Sequence, residues 1–243
     1  MKAHAPETIV HLSDDVLQAQ FRQARALLQG LRYKQAVSLM DTLLDQPLGL
    51  RDRLQLMAQR ALAQALWKKA EAAIENASVI LATVQADIDD LAWQEIDWEH
   101  EKREDIGHLS FLAGVFQLRG LLHRLRKDAR RAVEDLSLSL FMGSDPELLA
   151  LNQLHRAAAL IELNDCLEQA LSDLQQVQQS QPELLKTWLN LPEEGLLQLR
   201  KNQICCTAQQ RELHLSADKV RLKPKQLVPE CFYLARQLQL LED

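Results

Sequence analysis

Glycine and proline are scarce, seven of each in 243 residues, and that shortage argues against the many tight turns of a sandwich or barrel. Cysteine is scarcer still. Cys166, Cys205, Cys206 and Cys231 match no zinc-ligand spacing, and two adjacent thiols are poorly placed for a structural disulfide, so a reducing cytoplasm is the expected setting. Cys205 and Cys206 read as buried, unreactive thiols. Long apolar runs are missing too. The most apolar stretch, Ala77 to Val84, is interrupted by Ser78 and Thr83 and is less than half of the roughly 20 residues a membrane span needs. The opening Met1-Lys2-Ala3-His4-Ala5-Pro6-Glu7 has no signal-peptide core. Positive charge is in deficit: a net charge of −6 and an isoelectric point near 5.7 disfavour a general nucleic-acid role. A glycine-rich phosphate loop and a Gly-x-Ser-x-Gly elbow are lacking, and the seven histidines are dispersed. Neither catalysis nor a cofactor is expected.

What is present favours helices. Leu, Ala, Gln, Glu and Arg dominate, and 47% of the residues are hydrophobic, enough for a core. Ser13, followed by Asp14 and Asp15, reads as an N-cap with acid at the positive end of a helix running to about Gln29. Its apolar stripe is Leu17, Phe21, Ala24, Leu27 and Leu28, and Gly30 breaks it. A second helix is predicted over Tyr33 to Asp45, ahead of Pro47. The pattern restarts over Leu50 to Leu66, with a partner helix opening at Trp67. A third pair is predicted over Asp105 to Leu125 and Asp128 to Met142, and Asp145-Pro146 opens a fourth that continues to Pro182.

Small residues recur along these pairs. Ala36, Ala70, Ala132 and Ala170 stand in the second helices, and twelve residues before each is Ala24, Ala58, Gly120 or Ala158. The first interval is 34 residues (36 to 70); the later ones are 62 (70 to 132) and 38 (132 to 170). Tyr33, Trp67 and Leu167 open second helices, Met40, Ile74, Leu136 and Leu174 follow the alanines, and Pro182 closes the last pair, with Pro47 one residue early in the first. This arrangement resembles the tetratricopeptide repeat family over about residues 17–182. The resemblance implies an all-α antiparallel helix-pair superhelix, an α-solenoid whose first helices line a concave groove. The early first-helix aromatic of that family is met only by Phe116.

The domain so read covers residues 13–201, with an acidic insert at about 86–105 and a C-terminal appendage at 202–243. Trp93 and Trp98 lie within the acidic run: they either anchor a basic partner or cover the array's own core. His100, Glu104 and His108 share one helical face, but no second carboxylate–histidine pair completes a site, so no metal is expected. A capping helix is predicted over Glu193 to Lys201, opened by Pro192. A hairpin is predicted about Ser216-Ala217-Asp218-Lys219, and a last helix from Pro229. Residues 211–241, with Pro224-Lys225, faintly resemble the opening of a response-regulator winged helix, without room for a recognition helix.

The function expected is non-catalytic: a scaffold or adaptor binding a partner peptide or helix in the groove. The alternative is a dedicated chaperone or regulator of one client, of secretion or pilus type; a transcription regulator is a third option. By motif position the resemblance turns Phe21, Arg25, Gln55, Gln59, Gln117, Arg124, Asn152 and His155 toward the groove. Phe21, Arg25 and Leu56 occupy the positions where the family's carboxylate clamp uses lysine and asparagine, so that recognition mode is not expected. A protein partner is implied, without nucleic acid or membrane insertion, and self-association stays open.

Overall fold

A computed structural model describes residues 14–90, 102–143, 145–192, 194–209, 211–223, 227 and 232–238. The chain is mostly helical, and successive helices pack on one another. Eight helices form four hairpins: α1 (Asp14–Gln29) with α2 (Tyr33–Leu44), α3 (Leu50–Leu66) with α4 (Ala70–Asp90), α5 (Lys102–Leu125) with α6 (Ala129–Met142), and α7 (Pro146–Leu163) with α8 (Leu167–Ser180). Caps explain some of these boundaries. Asp145 accepts hydrogen bonds from the Glu147 and Leu148 amides at 2.9 and 3.0 Å, with Pro146 in the first helical turn.

Each hairpin closes through a three-residue turn with a left-handed residue, at the middle position in the first three and at the first in the last, where Cys166 is left-handed too with φ of 46°. Leu31, Lys68, Lys127 and Asn164 are left-handed there, with φ of 58, 64, 62 and 53°. The amide after each reaches back five residues: Arg32 to Leu27 O at 2.8 Å, Lys69 to Gln64 O at 2.8 Å, Asp128 to His123 O at 2.9 Å and Asp165 to Leu160 O at 3.1 Å. This is the Schellman closure of a helix C-terminus. The turn recurs after 37 residues in the first two hairpins (31 to 68) and again in the last two (127 to 164).

That interval corrects the 34-residue register for the second hairpin. Trp67 caps α3 instead of opening α4, which begins at Ala70. Ala70 is therefore only half-buried at the helix start, and the small residues at the crossings are Ala61 and Ala73, both wholly buried. The corresponding pairs elsewhere are Ala24 with Ala36, Gly120 with Ala132, and Ala158 with Ala170, all buried. At Gly120 the approach is close: a Cβ there would lie 2.9 Å from Leu136 Cγ.

A second recurrence ties the hairpins together. One arginine in α3, α5 and α7 spans two second helices. Arg119 donates to Asp135 of its own hairpin at 2.7 and 2.9 Å and to Ser78 of the preceding one at 3.1 Å. Arg156 does the same with Asp173 at 2.7 and 2.8 Å and Ser137 at 3.3 Å. Arg60 donates to Asn76 at 3.2 Å and lies 2.7 Å from Asp41 Oδ1, a close but bent ion pair.

Beyond α8 the expected capping helix and hairpin are both displaced. The segment after α8 is α9 (Pro182–Leu189), and the stretch predicted as a helix over Glu193 to Lys201 holds strand β1 (Leu196–Arg200). It pairs antiparallel with β2 (Gln203–Ala208), which pairs antiparallel with β3 (Arg211–His214). The two-residue turn Lys201-Asn202, with φ of 48 and 57°, has the left-handed pair that hairpin twist favours. Leu197, Ile204 and Cys206 face inward, and the sheet packs on α8, whose Gln178 donates to Gly195 O at 2.7 Å. The expected division at 201–202 thus falls inside a paired hairpin. Where a hairpin about Ser216 was predicted, the chain forms a single helical turn, α10 (Ala217–Val220). A final short helix, α11 (Phe232–Gln237), follows.

Of the acidic insert, residues 86–90 end α4 and 102–105 begin α5. Trp93, Trp98 and His100 lie outside the described residues, as do Ser13, Pro224-Lys225 and Pro229.

Candidate functional site

The residues expected on an open groove do share the first-helix face, but most are interior. Gln59, Gln117, Arg124, Asn152 and His155 are all at most 2% exposed, which corrects their placement on an accessible surface. Phe21, Arg25 and Gln55 are half-buried, and Phe21 packs against the core.

Arg124 and His155 are brought into contact, the guanidinium Nη1 lying 2.6 Å from Nδ1 of the ring. Its Nη2 donates to Glu162 at 2.8 Å and to the carbonyl of Val220. His155 also meets Trp188 of α9 edge to face, with ring centroids 5.6 Å apart. Four segments therefore converge on one buried cation: α5, α7, α9 and the chain after the sheet. A charge taken this far from water must be paired and hydrogen-bonded, and Glu162 with the Val220 carbonyl supplies that.

The burial of Arg124 and His155 has an identifiable cause: Trp188 of α9 and the Val220–Leu222 stretch lie against them. Leu222, Leu227, Leu234, Ala235 and Leu238 belong to the same buried cluster as Ala58, Leu118 and Leu122. α10 packs on α7, and α11 packs on α5. Val220 sits by Arg124 at the C-terminal end of α5, while Arg236 donates to Glu147 in the first turn of α7 at 3.0 Å. The described C-terminal residues Val220, Leu222, Leu227, Leu234 and Leu238 therefore lie against the helices whose face the sequence assigned to a partner. Gln117 stands two turns before Arg124, and Asn152 three residues before His155, so both belong to the same strip by helical register.

Buried polar atoms without a hydrogen-bond partner collect on these helices. Among them are Gln59 Oε1 of α3, Gln117 Nε2 of α5 and Asn152 Oδ1 of α7. Asn152 uses its amide nitrogen on Ser139 Oγ at 2.7 Å, and Ser139 in turn donates to Ala113 O at 2.6 Å. Such orphaned groups cost stability in a finished core, and interior faces that meet a polar ligand or water carry them.

Among the described residues, Cys205, Glu212 and His214 could converge on one cation, their donor atoms lying within 4.8 Å of one another. Cys205 and His214 are cross-strand partners, with Sγ 3.1 Å from Nδ1. Burial and then Glu212 push the Cys205 thiol up, and Arg200 engages the Glu212 carboxylate at 3.5 Å. The trio is thus poised as a hydrogen-bonded thiol. Cys206 is also pushed up by burial, and both thiols are buried as the sequence suggested.

No family model, curated protein or solved structure matches the chain. Sequence reasoning missed the Arg119–Asp135 and Arg156–Asp173 pairs, Glu162 and Trp188. A signal existed for the first two: an arginine in a first helix with an aspartate 16 or 17 residues later.

Proposed function

We propose that the chain is a non-catalytic protein-interaction module, a tetratricopeptide-like α-solenoid whose first helices hold a partner's helix or peptide. One observation carries this reading: α10 packs on α7 and α11 on α5, with Leu222, Leu227, Leu234 and Leu238 in the buried cluster and the Val220 carbonyl on the Arg124 guanidinium. A face able to seat one chain segment in this way has the apolar anchors and fixed donors that recognition of another requires. The scaffold reading draws on the interior polar groups of that face, which are the amides of Gln59, Gln117 and Asn152 and an arginine held between His155 and Glu162.

The test is cross-linking of the tagged full chain in its native extract, with mass spectrometry of the linked peptides. Links from a captured protein should fall on α3, α5, α7 and the C-terminal segment. Links confined to the outer helices α2, α4, α6 and α8 would remove the groove from consideration.

A further inference from the structure

We propose that Cys205, Glu212 and His214 bind one zinc-class divalent cation on the face of the sheet opposite Ile204 and Cys206. Strand pairing brings the three together. Cys205 of β2 stands directly across from His214 of β3, and Glu212, two residues earlier, faces the same side. Their donor atoms all lie within 4.8 Å of one another, and Cys205 Sγ is 3.1 Å from His214 Nδ1. Tetrahedral zinc, with bonds of about 2.3 Å to sulfur and about 2.0 Å to nitrogen or oxygen, spaces its donors by roughly 3.3–3.6 Å. Glu212 and His214 are exposed, so rotation of their side chains closes the difference while β2 stays paired on both sides.

The donor set suits such an ion. Thiolate, imidazole and carboxylate are the ligands zinc takes, whereas copper(I) selects sulfur and has little use for a carboxylate. On binding, the Cys205 S–H proton leaves to solvent, a sulfur–metal bond forms, and each protein ligand displaces a water from the ion. Thiolate and carboxylate then balance the charge of the cation. Arg200, 3.5 Å from Glu212 Oε1, can keep one carboxylate oxygen while the other ligates, the outer support that metal-bound carboxylates use. Thr207 gives an independent sign: its Oγ1 is buried without a hydrogen-bond partner, and it is the cross-strand partner of Glu212 on this same face. A nucleophilic thiol fits less well, because Cys205 is only 1% exposed and a substrate needs more room than an ion. Three protein ligands leave a fourth position to water, on the exposed side of Glu212 and His214. The ion would fasten β3, whose residues are all exposed, to the central strand β2.

The experiment titrates the reduced full chain with cobalt(II) and reads the sulfur-to-cobalt charge-transfer band together with the visible bands of tetrahedral cobalt. One ion per chain should bind, and zinc should displace it. Zinc should also raise the thermal midpoint of the chain, and a chelator should return it, because the native state alone assembles the trio. Cys205→Ser should abolish the charge-transfer band. Glu212→Gln and His214→Gln, at exposed positions, should each weaken binding by about tenfold or more with helicity unchanged. Cys166→Ser with Cys231→Ser should leave the spectrum as it was. Absence of the band overturns the proposal, as does a band that survives Cys205→Ser or vanishes with the Cys166 and Cys231 changes. A midpoint indifferent to zinc overturns it too. So does binding that neither Glu212→Gln nor His214→Gln weakens, which would mark an adventitious thiol contact only.

Discussion

Arg119 holds both carboxylate oxygens of Asp135 and, through its remaining nitrogen, Ser78 of the hairpin before. The same three-point contact recurs at Arg156, so in the third and fourth hairpins one side chain fastens the hairpin to itself and to the one before. Asp135→Ala would leave a largely buried guanidinium without its anion and should cost about 2–4 kcal/mol in urea unfolding. Replacing both partners, Arg119→Met with Asp135→Leu, should recover most of that loss. If the double variant is no better than the single one, the guanidinium has another role at that joint.

The hairpin turns place ordinary side chains where glycine is preferred. Leu31, Lys68 and Lys127 are left-handed and carry a Cβ. Lys68→Gly and Lys127→Gly should each raise stability by up to about 1 kcal/mol, relief of the left-handed penalty exceeding the entropy glycine adds to the unfolded chain. Asn164→Gly should change little, since asparagine tolerates this conformation. Midpoints in urea that fall for both lysine variants would contradict the strain.

The helix crossings should be sensitive to volume. Gly120→Ala presses a methyl against Leu136 and should cost about 1–3 kcal/mol, with Leu136→Val partly compensating. In the second hairpin, Ala73→Leu should be much more damaging than Ala70→Leu, because Ala73 is at the crossing and Ala70 is half-buried at the helix start. The reverse order in thermal melts would restore the 34-residue register.

His123 lies between α5 and α6 near Asp135 and Asp128, at 3.8 and 3.9 Å. Burial holds its pKa below the usual 6.5, outweighing the upward pull of both aspartates, while Arg119 and Arg131 add to the lowering. The fold therefore favours the neutral ring. As pH falls below 6.5 the unfolded chain takes up the proton first and stability declines, whereas at higher pH both states are neutral and this contribution vanishes. His123→Gln should flatten the stability profile between about pH 7 and pH 5. Parallel profiles for variant and parent would assign the acid sensitivity elsewhere.

Elements announced by local chemistry were legible. α3 occupies Leu50–Leu66 as its apolar spacing predicts, and Asp145-Pro146 opens α7 as a cap and a helix-compatible proline should. The strands were not. Leu196 to Arg200 is as apolar as a short helix, and only pairing with Ile204-Cys205-Cys206 makes it a strand. The Trp67 boundary failed for a similar reason, since an aromatic can open one helix or cap another.

The candidate site divides along the same line. Motif position in the tetratricopeptide resemblance turned Gln117, Arg124, Asn152 and His155 toward one face, and helical spacing accounts for the pairing within each helix, seven residues apart in α5 and three in α7. Whether the face meets water depends on a segment nearly a hundred positions away: Val220 bonds Arg124 across a separation of 96 residues. Helix formation is a short-range property of the chain, whereas burial is a property of everything that packs on it, and only the tertiary structure assembles that.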